Sequence, residues 1–282
     1  MNNPAALLFP LTLFTVMLAL GFGLPADALA QWRRHWRLLL RVELATCLLV
    51  PLIGWALLST PPARALSVEA RHAIALMAAC PSAPLILRKA GRSGGDHALA
   101  GLLQVGAALA AIVTVPLLAN LGERVFGVEG WDVLPQQVAM QVGQVQLLPL
   151  LLGVGLRRGF PSLVERLQGP IDRLANGLLI LLVLAVLIRT APLLLDFGSA
   201  NLAALALMAL LVLLSLALGY GVAGDGQGRR ITTALVTSMR NPGLALLLAS
   251  TYAPGLPAVK LGILSYVLIT VLVSLPLLRP AR

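Results

Sequence analysis

Nine stretches of about 20 mostly apolar residues follow one another along the chain, separated by short polar joints, and each is long enough to cross the hydrocarbon core of a bilayer as an α-helix. A water-soluble fold has no way to hide so much apolar surface. Hydrophobic residues make up 59% of the 282 positions and charged residues 11%, less than half the charged share usual in soluble domains. With Pro, Gly and charge clusters as punctuation, spans are predicted near 6 to 24, 38 to 58, 71 to 90, 97 to 119, 133 to 155, 174 to 195, 200 to 221, 230 to 251 and 257 to 278. The expected class is an all-α integral membrane protein of one polytopic domain. Its first half, about 1-122, holds four helices and its second half, about 123-282, holds five. The span near 133 to 155 carries Gln136, Gln137, Gln141, Gln144 and Gln146 and is expected to face protein or water, not lipid.

A formal net charge of +10 would point to nucleic acid if the cations formed one soluble face. They lie instead in alternate joints. The joints after spans one, three, five and seven and the C-terminal tail hold fourteen Lys and Arg residues, from Arg33, Arg34 and Arg37 through Arg157 and Arg158 to Arg279 and Arg282. The opposite side holds five, Arg64, Arg71, Arg124, Arg189 and Lys260, beside the acidic Glu123, Glu129 and Asp132. Basic joints stay cytoplasmic, so the N-terminus is expected outside and the C-terminus inside, in the cell (inner) membrane, with no nucleic acid partner. No charged leader with a small-residue cleavage site precedes the first span, which is expected to act as its own insertion signal. The basic joints Ala26 to Arg37 and Phe160 to Arg173 mix Trp32, Trp36, Leu163, Val164 and Leu167 with cations, a composition that suits either an amphipathic helix at the headgroups or a solvated loop. Cys47 and Cys80 lie inside apolar runs without the spacing of a disulfide or zinc site, and are read as small buried residues.

Two spans are broken in mid-membrane. The third contains Ala79-Cys80-Pro81-Ser82-Ala83-Pro84 and the eighth Thr237-Ser238-Met239-Arg240-Asn241-Pro242-Gly243. Each Pro removes a backbone donor and clashes with the preceding turn. Backbone groups freed at that depth are tolerated only where protein or a watery cavity receives them. Paired breaks in corresponding positions of two halves point to a transporter's binding site. These breaks do correspond if the first half lacks one helix, and they run through the membrane in opposite directions.

Arg240 sits close to the middle of the eighth span, where an ionised side chain is costly and usually functional, and it keeps its proton. The first half of that span ends almost at Arg240 and presents a negative dipole end there. Pro242 and Pro84 can each open a second half-helix whose N–H groups point positive partial charge at the midplane. Two readings follow: an anion site, plausible for a carboxylate, or an internal ion pair with Glu43. Gln104, Thr114, Ser265, Tyr266 and Thr270 suit either cavity walls or interhelical glue. His35, His72 and His97 lie at span boundaries, which argues against a histidine proton relay. Carboxylate clusters, phosphate loops and nucleophile elbows are missing from the sequence, so an enzyme is not expected.

Several of these residues resemble motifs of the bile acid:sodium symporter family. Cys80-Pro81, followed by Gly95-Asp96-His97-Ala98-Leu99, resembles that family's Cys-Pro-Gly-Gly helix break and the Gly-Asn/Asp-x-Ala-Leu turn after it. Met239-x-Asn241-x-Gly243-Leu244-Ala245 resembles its Met-Gln-Asn-Ser-Gly-Leu-Ala motif. Leu148-Pro149-Leu150-Leu151-Leu152-Gly153 with Arg157-Arg158 looks like its sixth helix, and Met17 to Pro25 like its second. The resemblance spans nearly the whole chain in matching order. It implies inverted five-helix repeats with the first helix of the ten-helix version missing. A core of about helices 2-4 and 7-9, with two broken crossing helices, would face a panel of about helices 1, 5 and 6. It also implies alternating access and organic anions as a common substrate class.

The departures are specific. Where the family has Glu-x-x-x-Gln-Asn, which binds sodium, this chain has Val236, Arg240 and Asn241; Ser-Asn after the first break is replaced by Ile86 and Leu87; hydroxyl positions of its fifth helix fall on Gln104, Ala107 and Ala108. Most oxygens that would hold sodium are absent, and Arg240 is expected to supply permanently the charge that sodium supplies elsewhere. The expected function is a secondary transporter of a small organic anion, not coupled to sodium; no cofactor is expected, with sodium the one ion left open. The alternatives are a proton-coupled or auxin-efflux-like carrier, or a non-transporting membrane sensor. The expected substrate-binding residues are Arg240, Asn241, Pro242, Gly243, Ser238, Met239, Cys80, Pro81, Ser82, Pro84 and Gln104.

Overall fold

Proline shapes this helical architecture at several places among the described residues. The computed structural model describes residues 4–24, 28–81, 94–126 and 134–278, and every regular element among them is helical. Helix α1 is Pro4–Gly23. Helix α2, Ala28–Leu44, runs through a π turn, Ala45–Leu49, into α3, Val50–Leu58. The short α4, Pro61–Arg64, precedes α5, Val68–Ala79, and α6 is His97–Phe126. Helix α7, Pro135–Val142, passes through a second π turn, Gly143–Leu147, into α8, Leu148–Gly159. Then come α9, Pro161–Ala200; α10, Leu202–Val222; α11, Gln227–Ser238; α12, Pro242–Tyr252; and α13, Ala258–Ser274, which tightens into a 3-10 turn at Leu275–Leu278.

Both π turns lead into a proline at the second position of the following helix, Pro51 and Pro149. A proline inside a helix leaves a carbonyl one turn back without its donor and crowds it. Widening the turn by one residue relieves the clash.

Five stretches among the described residues are long and apolar enough to cross a bilayer: Ala30–Leu58, His97–Gly122, Pro135–Gly159, Pro161–Val186 and Leu202–Val222. Pro10–Gly23 and Ala258–Ser274 are shorter apolar helices. The third and eighth spans expected from the sequence do not form continuous helices. α5 has 12 residues, and α11 and α12 have 12 and 11, so each half alone is too short to cross. The two long basic joints are helical where described. α2 begins at Ala28 and kinks at His35, while α9 absorbs the whole stretch after Phe160 into one 40-residue helix, about 60 Å at 1.5 Å per residue. Ile180, Leu181, Leu184 and Ile188 of α9 point outward, as lipid-facing residues do.

Helix α1 packs on α8 and α9, with Gly21 and Gly153 at the α1–α8 crossing. A Cβ on Gly21 would lie 2.3 Å from the Leu150 carbonyl oxygen, and one on Gly153 2.5 Å from that of Leu18. Small residues let helices approach closely where lipid tails compete for every apolar contact. α10 packs along α11, and α13 along α5. The larger apolar cluster joins Ile74 and Met77 of α5 to Met208 and Leu211 of α10, Leu248 of α12 and Tyr266 of α13. A second joins Met17 of α1 and Leu150 of α8 to Val42 of α2, Leu103 of α6, and Leu235, Val236 and Met239 at the α11 break.

Candidate functional site

The two breaks have the same local form. Cys80 N–H makes the last helical bond of α5, to Leu76 O at 2.9 Å, and Met239 N–H the last of α11, to Leu235 O at 2.9 Å. The backbone then turns extended at Cys80 (φ −85, ψ 104) and at Met239 (φ −84, ψ 108). Cys80 precedes Pro81, and Asn241 (φ −88, ψ 95) precedes Pro242. Crowding by the proline ring excludes the helical region for the residue before it. Pro242 then opens α12, with Asn241 as its cap: the Asn241 side-chain oxygen accepts from Leu244 N–H at 3.2 Å. The breaks touch through their backbones, Asn241 N–H donating to Cys80 O at 3.2 Å.

Into this meeting point comes the guanidinium of Arg240, 2% exposed. Its Nε donates to Met77 O at 3.0 Å, its Nη1 to Thr46 O at 2.8 Å, and its Nη2 to Ala78 O. These carbonyls are available for reasons written in the chain. Met77 O would ordinarily take the N–H of residue 81, which is proline. In the π turn, Val50 N–H goes back five residues to Ala45 O, so the donor due to Thr46 O would be that of Pro51, which has none. Ala78 O belongs to the open C-terminal end of α5. One cation thus caps the negative end of one half-helix and ties it to a proline-opened turn in α2–α3. The same turn is held to α11 by Thr46 Oγ1 and Thr237 Oγ1, 3.3 Å apart, while Thr237 Oγ1 donates to Thr233 O at 2.8 Å.

Of the two readings of Arg240, the internal pair with Glu43 is not formed: no ion pair joins them among the described residues. Glu43 Oε2 accepts instead from Cys47 Sγ at 3.6 Å. The dipole end that Arg240 meets also differs from the expected one, being that of α5 and not that of its own α11. Ser238 is buried and donates to Leu235 O at 3.2 Å, and Met239, Asn241 and Gly243 are buried around the crossing with Cys80 and Pro81. Gln104 is buried on α6. Ser82 and Pro84, with Ile86 and Leu87, lie outside the described residues. The structure adds Thr46, Met77 and Ala78 to the site through backbone atoms; of what frees them, only Pro51, a proline in mid-span, left a mark in the sequence beyond the breaks themselves. It also places the Tyr266 hydroxyl wholly buried without a hydrogen-bond partner among the described residues. Among the described residues no group of three or more His, Cys, Asp or Glu side chains is arranged to hold a metal.

Comparison with known proteins agrees with the resemblance in the motifs. The sequence profile of the SBF-like CPA transporter family matches residues 7–275, a stretch that includes both breaks. No individually curated protein matches the chain. The family profile, the apolar helices and the proline-made breaks lead to one conclusion: the chain is a multi-pass membrane protein and belongs to the SBF-like CPA transporter family, of the bile acid:sodium symporter type.

Proposed function

We propose that this chain is a secondary transporter, not an enzyme, that moves a small organic anion of the carboxylate type by alternating access and without sodium. The observation that carries the reading is the Arg240 guanidinium bound to the carbonyls of Met77, Ala78 and Thr46 where the breaks meet. A hard cation needs a shell of oxygen ligands. Here the guanidinium already takes the carbonyl oxygens, and Val236 stands where a carboxylate would be needed, so the residues present do not suit sodium.

A guanidinium has five N–H donors, and three are used by the carbonyls. The remaining two belong to a residue only two positions before Pro242, which opens α12. There Leu244 N–H is capped by Asn241 and Ala245 N–H bonds to Asn241 O, which leaves the Gly243 N–H, among the described residues, as the donor at the helix mouth. Cationic N–H groups and a helix N-terminus together form an anion cradle. Ser238, Met239, Asn241, Pro242, Cys80, Pro81, Ser82, Pro84 and Gln104 would surround the substrate. In this reading the chain makes nine crossings as an inverted repeat, with the N-terminus outside and the C-terminus cytoplasmic. The spans numbered 2-4 and 7-9 would move against 1, 5 and 6.

The test is a thermal-stability screen of small carboxylates on the purified protein in choline buffer. A ligand that binds only the folded state adds about 2.7 kcal/mol at a hundred times its Kd. A stabilising carboxylate is expected, with affinity lowered at least about tenfold, or about 1.4 kcal/mol, in Arg240→Gln. An unchanged affinity in that variant would remove Arg240 from the site.

A further inference from the structure

We propose that Glu43 is a proton-binding site within the membrane, on the face where α2 meets α6. Glu43 lies well inside the spanning stretch Ala30–Leu58. Its Oε2 accepts from Cys47 Sγ at 3.6 Å, whereas its Oε1 is buried with no hydrogen-bond partner among the described residues. Room for that oxygen exists because residue 106 of α6 is glycine: a Cβ there would stand 2.5 Å from Oε1. A carboxyl oxygen buried in a bilayer span with no donor is an expensive arrangement for a fixed charge, and such groups mark ion and proton paths.

The surroundings name the ligand. Among the described residues, Cys47 is the titratable group bonded to Glu43. α6 carries no titratable residue between His97 and Glu123, and α10, which also packs on α2, carries only Tyr220 near its end. α11 brings Arg229 and Arg230 at its start, and Arg240, beyond its end, spends three of its donors on the carbonyls. One thiol and one glycine do not make the oxygen shell of a metal cation, while a single proton on Oε1 turns the group into a neutral acid that needs no counter-ion. The step is simple proton transfer: an Oε1 lone pair takes up H⁺ and later releases it, with no other bond changed. Thr46, three residues on, gives its carbonyl to Arg240, so the proton site and the crossing share one helical turn. Proton binding itself does not depend on the transport reading; only the use of that proton to accompany an anion does.

Infrared difference spectroscopy during pH titration of the protein in nanodiscs, without any substrate, tests the site. Among the titrating carboxyl bands, one C=O stretch that shifts in D₂O is expected to be lost in Glu43→Gln. Glu43→Asp, which keeps an acid, should move the band instead of abolishing it, and serves if the Gln variant does not fold. Cys47→Ala should shift its frequency. Carboxyl bands that titrate identically in the unaltered protein and in Glu43→Gln would overturn the proposal and leave the anion reading standing. Failure of every carboxylate in the stability screen would leave the proton site standing.

Discussion

At position 240 a side chain that keeps its proton at any physiological pH meets carbonyls that prolines and a helix end have left without donors. Each partner removes the other's cost. An apolar replacement would leave three buried carbonyls unsatisfied, at about 1–3 kcal/mol each. Arg240→Met is therefore expected to lower the stability of the purified protein by several kcal/mol in detergent unfolding. Arg240→Lys should recover only a fraction, because a compact ammonium does not match the three-way fork of a guanidinium spanning two segments. Unchanged stability in the Met variant would mean that these bonds do not hold the crossing. The presence of Arg240 in an apolar span was legible from sequence as a functional signal. Its partners were not, because they are main-chain oxygens that every residue carries. Side-chain chemistry pointed to Glu43, the one carboxyl in reach by composition, whereas packing set that residue against Gly106 and Cys47 instead.

The elements around the crossing follow from where proline stands. Pro81 and Pro242 each mark a helix end, and both positions were evident in the sequence because a proline flanked by polar residues interrupts an otherwise smooth apolar run. The π turn at Ala45–Leu49 was not evident. Its span reads as continuous, and only the structure reveals that Pro51 is accommodated by widening the turn before it. The helical course of Ala28–Leu44 and the start of α9 was half-legible: their mixed composition allowed a helix or a loop, and only continuity with the following span decides for the helix. The family pattern Glu-x-x-x-Gln-Asn gives a direct test of why this break is built differently. The double variant Val236→Glu, Arg240→Gln returns two of the missing oxygen donors and removes the guanidinium. Sodium is expected to raise its thermal stability over choline while leaving the parent protein unaffected. An equal response of the two proteins would mean that Arg240 does not stand in for a cation.

At the scale of the whole molecule, α1 packs on α8 and α9, and two sets of contacts reach the helices that carry the breaks. In one, Met17 and Leu150 meet Leu103, Val236 and Met239 in an apolar cluster. In the other, the Tyr252 hydroxyl of α12 donates to Gln137 of α7. Under the proposed alternating access these contacts would open in turn, and the guanidinium would travel with the breaks as their permanent charge. A bound sodium leaves a carrier's site when its concentration falls well below its Kd; an arginine does not. Uptake of a stabilising carboxylate into proteoliposomes, measured first in sodium and then in choline, decides the matter. Equal rates in the two salts, lost in Arg240→Gln, are the expected result. Clear stimulation by sodium in the unaltered protein would contradict it.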